Sequence, residues 1–502
     1  MNDALLPLLV VVPLAAAALT VLLGDGLATR FMQVAVPVAS MAAGAGLLAV
    51  HRETPVVAHR VGDFVPGVAI PFASDTVSAL MLVVTGATVL ASVLFAMVTG
   101  EMRLRHFPAL TLMLLAGVNG ALLTADAFNL FVFVEVMLLP SYALVAMSGS
   151  WRRIATGRLF VVVNLLTSTI FLIGVGLVYG VAGSVNLGVL AAAAKEDDRV
   201  ALAAAVVLLA LAVKAGVVPL HGWLPRAYPA ASASVMALFS ALHTKVAIYA
   251  IYRIYSVVFD GDQRWSGLIL GLVAVTMVVG AYSSLGERSA RRALSFQMVA
   301  GVGFILVGVG LGTQLGIASG LFYMVHHILV MGALLLLAGA IEHTYGSGYY
   351  HRISGLMRRD RLLAWGFALA AFSLIGIPPS SGFFGKVGVV RALADADVTT
   401  AAWLLAALVL ASLGSLLTMQ RMWSELFWGP PMEELTHPPS AVEGGDTRTQ
   451  PTTMALRTLA PGLGLLTVSL AVFVGAGPVW EICMRAAAGL TETAPYVEAV
   501  LR

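Results

Sequence analysis

The chain has 502 residues, of which 59% are hydrophobic and 11% are charged. Soluble domains contain about 45–50% apolar and about 25% charged residues, so this composition excludes a soluble globular fold. The 29 basic and 26 acidic residues nearly cancel and form no Lys/Arg block, which excludes a nucleic-acid partner. A single cysteine, Cys483, excludes an internal disulfide and a cysteine-ligated cluster. The composition predicts a protein that crosses a lipid bilayer many times.

Apolar stretches long enough to cross a bilayer follow one another along the chain. A helix that crosses the hydrocarbon core of about 30 Å needs about 20 mostly apolar residues. Fourteen stretches meet this condition, at residues 4–23, 31–50, 76–99, 107–124, 127–148, 159–181, 200–229, 232–257, 267–285, 293–311, 316–341, 361–393, 401–427 and 455–477. We therefore predict an all-α polytopic membrane protein with about 14 transmembrane helices.

Basic residues predict the orientation of these helices, because cytoplasmic loops carry an excess of Lys and Arg. Seventeen of the 29 basic residues lie in loops after odd-numbered helices, and nine, including Arg253, are assigned to loops after even-numbered helices. Both termini are therefore predicted to lie outside the cytoplasm, with the protein in the cell membrane. The three remaining basic residues, Lys214, Lys245 and Lys386, fall inside predicted helices.

Turns and one polar stretch divide the chain into segments. Residues 1–99 form an N-terminal three-helix segment, and residues 107–257 and 267–427 each form a unit of five helices. Residues 428–454 are rich in proline, glycine and charged residues, which predicts a mobile cytoplasmic loop. Residues 455–502 contain the last transmembrane helix and a C-terminal tail.

Four charged residues inside the predicted helices oppose insertion into the bilayer. A charged side chain at a helix centre costs about 2.5–3.5 kcal/mol, so Glu135, Lys214, Lys245 and Lys386 together oppose insertion by about 10 kcal/mol. We interpret these residues as a polar pathway inside the helix bundle. In the alternative interpretation, a lysine extends to the lipid headgroups, or one Glu–Lys pair only fastens two helices together.

Glu135 lies in the apolar run FVFVEVM and needs a cation from another helix. Lys214 is the candidate partner. Burial favours the neutral forms of both groups, whereas pairing favours their charged forms. A pair whose distance changes would therefore act as a switch, in which Lys214 tends to release its proton when Glu135 moves away.

Two predicted helices are interrupted near their middle. In the seventh helix, Pro219 and Pro225 flank the sequence LHGWL, and in the twelfth helix Pro378 and Pro379 lie in the sequence GIPPSSG. Proline removes a backbone donor and clashes with the preceding turn. Non-helical backbone at membrane depth persists only beside a cavity or inside protein, so both breaks indicate a functional region. The alternative is a pair of proline kinks that serve helix packing.

The positions of the breaks predict an inverted repeat. If helices 4–8 and 9–13 are two units, the interrupted helix is the fourth in each. An odd number of helices per unit makes the two copies point in opposite directions through the membrane, as in inverted-repeat transporters. Lys214 precedes its break and Lys386 follows its break. The two lysines are therefore predicted to lie in opposite half-channels, as alternating proton access requires.

Histidines add candidates for proton relay, because imidazole titrates near neutral pH. His326 and His327 point about 100° apart on a helix, so we expect only one of them to face the polar pathway. His243, His221 and Asp126 are secondary candidates. The alternatives are a buried interhelical hydrogen bond for each histidine, or a haem held by His243 and one of the adjacent pair. We predict no metal and no cofactor.

Four motifs carry a resemblance to a known family. They are DAFNLFVFVE at residues 126–135, KAGVVPLHGWLP at 214–225, LHTK at 242–245 and GIPPSSGFFGK at 376–386. Together they resemble the antiporter-like subunits shared by Mrp-type multisubunit cation/proton antiporters, respiratory complex I and membrane-bound hydrogenases. Within this family, the wording around Glu135 and the lysine at position 386 are most similar to the D-type branch of the Mrp systems.

The resemblance implies a role for each intramembrane residue. Glu135 and Lys214 correspond to the ion pair of the family's fifth and seventh helices. Lys245 corresponds to the relay base of the eighth helix, and Lys386 to the lysine at the far exit. His327 corresponds to the histidine of the eleventh helix. The family also implies fourteen transmembrane helices with inverted five-helix repeats.

The implied function is proton translocation within a multisubunit Na⁺/H⁺ antiporter, which is not an enzymatic activity. A proton enters near Lys214, passes Lys245 and His327, and leaves from Lys386 towards the outside. Expected partners are the other subunits, of Mrp A, B, C, E, F and G type, with Na⁺ crossing through a neighbouring subunit. Two alternatives are an antiporter-like subunit of respiratory complex I or a membrane-bound hydrogenase, and a self-sufficient solute carrier with a pocket at the interrupted helices.

Overall fold

The computed structural model describes residues 3–65, 67–147, 151–430 and 454–502. Most of the predicted loop 428–454 lies outside the described residues. The elements in chain order are α1 Leu8–Leu23, α2 Leu27–Val50, β1 Val56–Arg60, β2 Pro71–Asp75, α3 Thr76–Thr99, α4 Phe107–Leu123, α5 Ala127–Ala146, α6 Trp151–Ala182, α7 Ala193–Glu196, α8 Asp198–Ala215, α9 Leu224–Ala227, α10 Ala233–Ala241, α11 His243–Phe259, α12 Ser266–Ser283, α13 Ala290–Leu311, α14 Gln314–Tyr345, α15 Leu356–Arg359, α16 Arg361–Ile375, α17 Ser381–Ala392, α18 Val398–Leu426, α19 Leu456–Val474, α20 Ala476–Thr491 and α21 Ala494–Leu501.

Long apolar helices dominate the part of the chain that the structure describes. Eleven of them are long and apolar enough to cross a membrane. The bent pair Asp198–Ala215 and Leu220–Ala230 raises this number to 12 when it is counted as one crossing. Two shorter apolar helices, α4 and α16, fall below the required length. The chain is therefore an all-helical polytopic membrane protein, as its composition predicts.

Two crossings, α14 and the α10–α11 pair, lie at the centre of the bundle. Their most apolar 18-residue windows are completely buried by other parts of the chain. In α1 and α2 only about one third of the corresponding window is buried, so these helices lie at the periphery. A central helix is shielded from lipid by its neighbours, which lets it carry polar side chains that face other helices. The histidines of α14 and the lysine of α11 occupy this centre.

The two interrupted crossings break in the same manner. Helices α8 and α16 each end at a glycine in the left-handed conformation, Gly216 with φ 83° and Gly376 with φ 87°. The N–H groups of Val217 and Ile377 each donate at 3.0 Å to a carbonyl five residues earlier, which is a Schellman ending. Only glycine adopts this φ without strain. The prolines that follow prevent the helix from resuming at once.

The structure contains a small antiparallel hairpin that the helical prediction did not include. Strands β1 and β2 pair with Val56 opposite Asp75 and Arg60 opposite Pro71. Asp75 then ends β2 and caps α3, because its carboxylate accepts a hydrogen bond of 3.0 Å from the backbone N–H of Ser78. The search for long apolar runs could not detect two strands of five residues. The hairpin places Asp75 at the start of α3.

The assignment of Arg253 to a loop is wrong. Arg253 lies within α11, is 3% exposed, and places its Nη2 atom 2.6 Å from Oδ2 of Asp75. The ring of Tyr496 in α21 lies 4.4 Å from its guanidinium carbon. The predicted helix 232–257 already contained this residue, and the loop assignment treated its charge as a mark of the membrane surface, whereas a paired arginine remains inside the fold. The predicted tail after α19 is also helical, since it forms α20 and α21.

Candidate proton pathway

The three intramembrane lysines face the interior of the bundle. Lys214 is 5% exposed, Lys245 is 0% exposed and Lys386 is 7% exposed. None of these side chains extends to the protein surface, so the interpretation of lysines reaching the headgroups does not fit. A buried ammonium group needs polar partners, and each lysine has at least one. These partners define the candidate pathway.

A serine hydroxyl stands between Glu135 and Lys214. The Nζ atom of Lys214 on α8 donates to Oγ of Ser168 on α6 at 3.0 Å. The same hydroxyl donates to Oε1 of Glu135 on α5. Among the described residues, no ion pair of 4.0 Å or less joins Lys214 directly to Glu135. Ser168 thus accepts from the base and donates to the acid at the same time.

His243 lies at the start of α11, next to a break at Leu242 that separates it from α10. Its Nε2 atom is 2.8 Å from Oγ of Ser141 on α5, and its Nδ1 atom is 3.5 Å from the hydroxyl of Tyr228. The ring stacks on Phe239 at 4.4 Å between centroids. Both ring nitrogens therefore face hydroxyls. These contacts do not favour the haem interpretation, which needs one nitrogen directed towards iron.

Lys245 lies next to Thr244 on α11. The Nζ atom of Lys245 donates a hydrogen bond of 3.1 Å to Oγ1 of Thr244. His327 lies on α14, and among the described residues both of its buried ring nitrogens lack a hydrogen-bond partner. A Cβ atom at Gly301 would lie 1.9 Å from Nε2 of His327, so this glycine on α13 makes room for the ring.

His326 points towards the second break. Its Nδ1 atom is 2.8 Å from Oγ of Ser381, at the start of α17, and that hydroxyl is 3.0 Å from Oγ of Ser469 on α19. Gly382 of α17 lies against the same ring, one helical turn before Lys386. Of the two adjacent histidines, His326 therefore lies next to the helix that carries Lys386, whereas His327 lies against α13.

Lys386 is held at the end of the first half of the interrupted helix. Its Nζ atom donates to the carbonyl oxygen of Ile375 at 2.7 Å and to Oγ of Ser412 on α18 at 2.8 Å. The ring of Phe304 lies 4.6 Å from the same nitrogen. Ile375 is the last residue of α16, where the helix dipole leaves partial negative charge on free carbonyls. The break therefore supplies the acceptor that a buried ammonium group requires.

The secondary candidates have other surroundings. Asp126 caps α5, since its carboxylate accepts from the backbone N–H of Asn129 at 2.7 Å. His221 lies in the short 3-10 helix at the first break and is partly exposed. Pro225 lies in the first turn of α9, where a proline costs no hydrogen bond. The described contacts of Asp126 and His221 include none with the three lysines.

Hydroxyl residues of the pathway were missed by the sequence analysis. Ser168, Ser141, Ser381 and Ser412 each contact a candidate residue on another helix. One signal was available, because Ser168 lies in the run TST within an otherwise apolar helix. The pairing itself could not be read from the sequence, since Ser168 is 46 residues from Lys214.

Comparison with known proteins identifies the family of the chain. The family described as "NADH:quinone oxidoreductase/Mrp antiporter, TM" matches residues 124–414. This range includes both breaks and all three buried lysines. The chain belongs to this family.

Antiporter-family relatives match over most of the chain. The D-type subunit of the Na(+)/H(+) antiporter of Alkalihalophilus pseudofirmus is 32% identical over 88% of this chain and 88% of its own length. The protein of the same name from Bacillus subtilis is 35% identical over 78% of this chain and 76% of its own length. A chain in the structure of the Mrp complex from Dietzia sp. is 42% identical, with a TM-score of 0.92 and complete coverage of both chains.

A more distant family structure shares the fold alone. A chain of respiratory complex I from Thermus thermophilus is 23% identical, with a TM-score of 0.76 over 97% of this chain and 99% of that chain. The structural likeness falls together with the identity when the two structures are compared. The similarity to the Mrp family members is therefore greater than the similarity to complex I, as the motif wording indicates.

Proposed function

We propose that this protein is the proton-translocating subunit of a multisubunit Na⁺/H⁺ antiporter. The observation that carries the proposal is the set of four buried residues Lys214, Lys245, His327 and Lys386, with the partly buried Glu135 joined to Lys214 through Ser168, in a chain related to D-type antiporter subunits over most of its length. The protein is a transporter subunit and not a catalytic enzyme. Its partners are the remaining subunits, of Mrp A, B, C, E, F and G type, and Na⁺ crosses through a neighbouring subunit.

The Ser168 bridge supplies the switch of the mechanism. While Ser168 connects Lys214 to Glu135, the carboxylate stabilises the ammonium form through the shared hydroxyl. When the carboxylate moves away, burial favours the neutral amine, and Lys214 gives up its proton. Movement of one acidic group thus controls the proton affinity of one base without any covalent chemistry.

The remaining groups pass the proton along the bundle. In the proposed order, Lys245 follows Lys214 and His327 follows Lys245. His326 and its hydroxyl partner Ser381 then lead to Lys386. Neighbouring titratable groups disfavour simultaneous protonation, so a proton that arrives at one of them promotes release from the next. Lys386 ends the row and releases its proton to the outside.

The proposed architecture has fourteen crossings in two inverted units. The twelve candidate crossings, together with α4 and the α16–α17 pair, reach this number. The proposed segments are residues 1–99, the five-helix units 107–257 and 267–427, the loop 428–454, and residues 455–502. The shared glycine ending of α8 and α16 supports the two units, because each ending belongs to the fourth crossing of its unit. Both termini lie outside the cytoplasm in this arrangement.

The function is tested by removing single charges. Glu135→Ala, Lys214→Ala and Lys386→Ala are each expected to abolish Na⁺-dependent dissipation of a pH gradient in everted vesicles that contain the assembled complex. The control is Lys195→Ala, because Lys195 is an exposed lysine paired with Asp260 at 3.6 Å. The control is expected to retain parental antiport. Parental rates in all three pathway variants would refute the proposal, and solute uptake by the isolated chain would favour a self-sufficient carrier.

A further inference from the structure

Polar side chains follow one side of α18 from its middle towards its C-terminal end. Ser412, Ser415 and Thr418 are spaced three residues apart. Residues three apart on a helix are neighbours along one inclined ridge, with Cβ atoms about 5–6 Å apart. Gln297 on α13 and Ser284, just after α12, face the same ridge. These five residues are named the α18 polar row.

Direct hydrogen bonds join most members of the α18 polar row. The Oγ atom of Ser415 donates to Oε1 of Gln297 at 2.8 Å, and Nε2 of Gln297 donates to Oγ of Ser284 at 2.9 Å. The hydroxyls of Ser284 and Thr418 are 2.6 Å apart. All four side chains are at most 3% exposed. The row is therefore a buried hydrogen-bond network and not a set of surface hydroxyls.

The α18 polar row approaches the candidate proton pathway at two points. Ser412 accepts from Nζ of Lys386 at 2.8 Å. Gln297 lies one helical turn before Gly301, the glycine of α13 that lies against the ring of His327. A polar cluster that only fastened α12, α13 and α18 together would need neither arrangement. Ser412 thus places one end of the row in contact with a group that carries protons in the proposed function.

The α18 polar row leads from the middle of the bundle to one face of the membrane. Ser412 lies near the centre of α18, whereas Ser284 lies in the turn between α12 and α13, directly after the end of α12. The turn between α12 and α13 carries Arg288, and Arg292 follows in the first turn of α13. Arginine-rich turns mark the cytoplasmic side. At Gly414, an added Cβ would lie 3.0 Å from Ala281, so α18 and α12 approach closely along this path.

We propose that the α18 polar row is a proton-access route between Lys386 and the membrane face that carries the α12–α13 turn. The proposal rests on the proposed function. Each hydroxyl accepts one proton on its oxygen and passes its own proton to the next group, so the amine of Lys386 gains one proton and no other bond changes. Gln297 is a positioning residue, because its amide holds Ser415 and Ser284 in place but transfers no proton. The route therefore requires one water between Ser412 and Ser415 and a second water between Ser415 and the Ser284–Thr418 pair.

This route complements the outward exit of Lys386. In alternating access, a binding group meets the two faces in turn and never both at once. The contact between Lys386 and Ser412 corresponds to the state in which this lysine faces the α12–α13 turn. Loss of that contact is the step that redirects Lys386 to the opposite face. Ser412 therefore lies at the gate between the two states.

Cysteine accessibility tests the route. The parent is the assembled complex with Cys483→Ala, which removes the single cysteine of this chain. Ser412→Cys, Ser415→Cys and Thr418→Cys are treated with 2-(trimethylammonium)ethyl methanethiosulfonate, whose fixed charge prevents it from crossing the bilayer. The reaction is run in everted and in right-side-out vesicles, and the mass of this subunit is measured. Ser424→Cys marks the face at the exposed C-terminal end of α18. Thr467→Cys serves as the comparison for an exposed position on α19 outside the row. The hydroxyl of Thr467 donates only to the carbonyl oxygen of Leu463 in the same helix.

The expected result is modification of the three row cysteines from the same face as Ser424→Cys. Their reaction is expected to be about tenfold faster than that of Thr467→Cys, which corresponds to about 1.4 kcal/mol in barrier height. Modification from the opposite face alone, or at the rate of Thr467→Cys, would overturn the proposal. Labelling does not depend on transport, so this result stays readable in an inactive complex. Absence of antiport from the complex that retains Cys483 would count against the proposed function alone.

A second pair of variants covers the case in which cysteine prevents assembly. Ser415→Ala removes the hydroxyl that bonds Gln297, and Ser415→Thr retains a hydroxyl. The rate of antiport is expected to fall about tenfold in Ser415→Ala and to remain within about twofold of the parent in Ser415→Thr. A tenfold change in rate corresponds to about 1.4 kcal/mol in barrier height. Thr467→Val is the matched control. Equal rates for Ser415→Ala and the parent would contradict the route.

Discussion

At the scale of single residues, the hydroxyl of Ser168 changes how an acid and a base communicate. A direct pair of Lys214 and Glu135 would keep both groups in their charged forms, because the attraction between buried opposite charges is strong at short distance. A hydroxyl between them accepts from one and donates to the other, and it rotates when either group moves. Small displacements of α5 or α6 can therefore alter the proton affinity of Lys214. The Ser168 bridge therefore makes the proton affinity of Lys214 sensitive to movement of these helices.

Ser168→Ala tests this bridge. The variant removes the shared hydroxyl, so we expect antiport in everted vesicles to fall about tenfold, equivalent to about 1.4 kcal/mol. Ser168→Thr retains a hydroxyl and is expected to keep most of the activity. The matched control is Thr169→Ala, since the neighbouring hydroxyl is exposed and bonds only the carbonyl of Leu165. A parental rate for Ser168→Ala would show that Lys214 and Glu135 need no bridge.

At the scale of elements, glycines let the central helices approach one another around the histidines. Gly301 on α13 lies against the ring of His327, and Gly382 on α17 lies against the ring of His326. Side chains at these positions would occupy the space of the imidazoles. Helix interfaces in membranes are enriched in small residues because backbones pack closely there. Here the small residues also make room for the proton pathway.

Gly301→Ala is expected to displace the ring of His327, because the new Cβ would lie 1.9 Å from Nε2. Overpacking of this kind costs about 1–3 kcal/mol. We therefore expect a lower melting temperature of the purified complex and a loss of antiport in vesicles. Gly271→Ala on α12 is the control, since its Cβ would meet nothing within 4 Å. Parental antiport by Gly301→Ala would argue against a role for His327 at this position.

At the scale of the whole molecule, one buried ion pair connects distant parts of the chain. Asp75 at the start of α3 pairs with Arg253 of α11, and Tyr496 of α21 covers the guanidinium group. Asp75 also caps α3 through the N–H of Ser78. Removal of one partner from a buried pair leaves an uncompensated charge. The pair therefore stabilises the packing of the hairpin, the central crossing and the C-terminal helix against one another.

Asp75→Asn is expected to destabilise the fold by about 3–5 kcal/mol, since it leaves Arg253 buried without its counter-charge. The melting temperature of the purified complex reports this loss. Asp25→Asn is the matched control, because Asp25 and Arg30 form an exposed pair at 3.4 Å. Such surface pairs contribute about 0–1 kcal/mol, so the control should melt close to the parent. Equal melting of both variants would show that the buried pair contributes little.

The sequence by itself determined the features that depend on local composition. The cost of burying a charge among apolar residues identified Glu135, Lys214 and Lys386, and the glycine–proline runs located both breaks. Only the tertiary structure decided which groups meet, as for Ser168 with Lys214 and for Arg253 with Asp75. Insertion cost is a property of one stretch of chain. A hydrogen-bond partner depends on which helices pack together, and these are separated by tens or hundreds of residues.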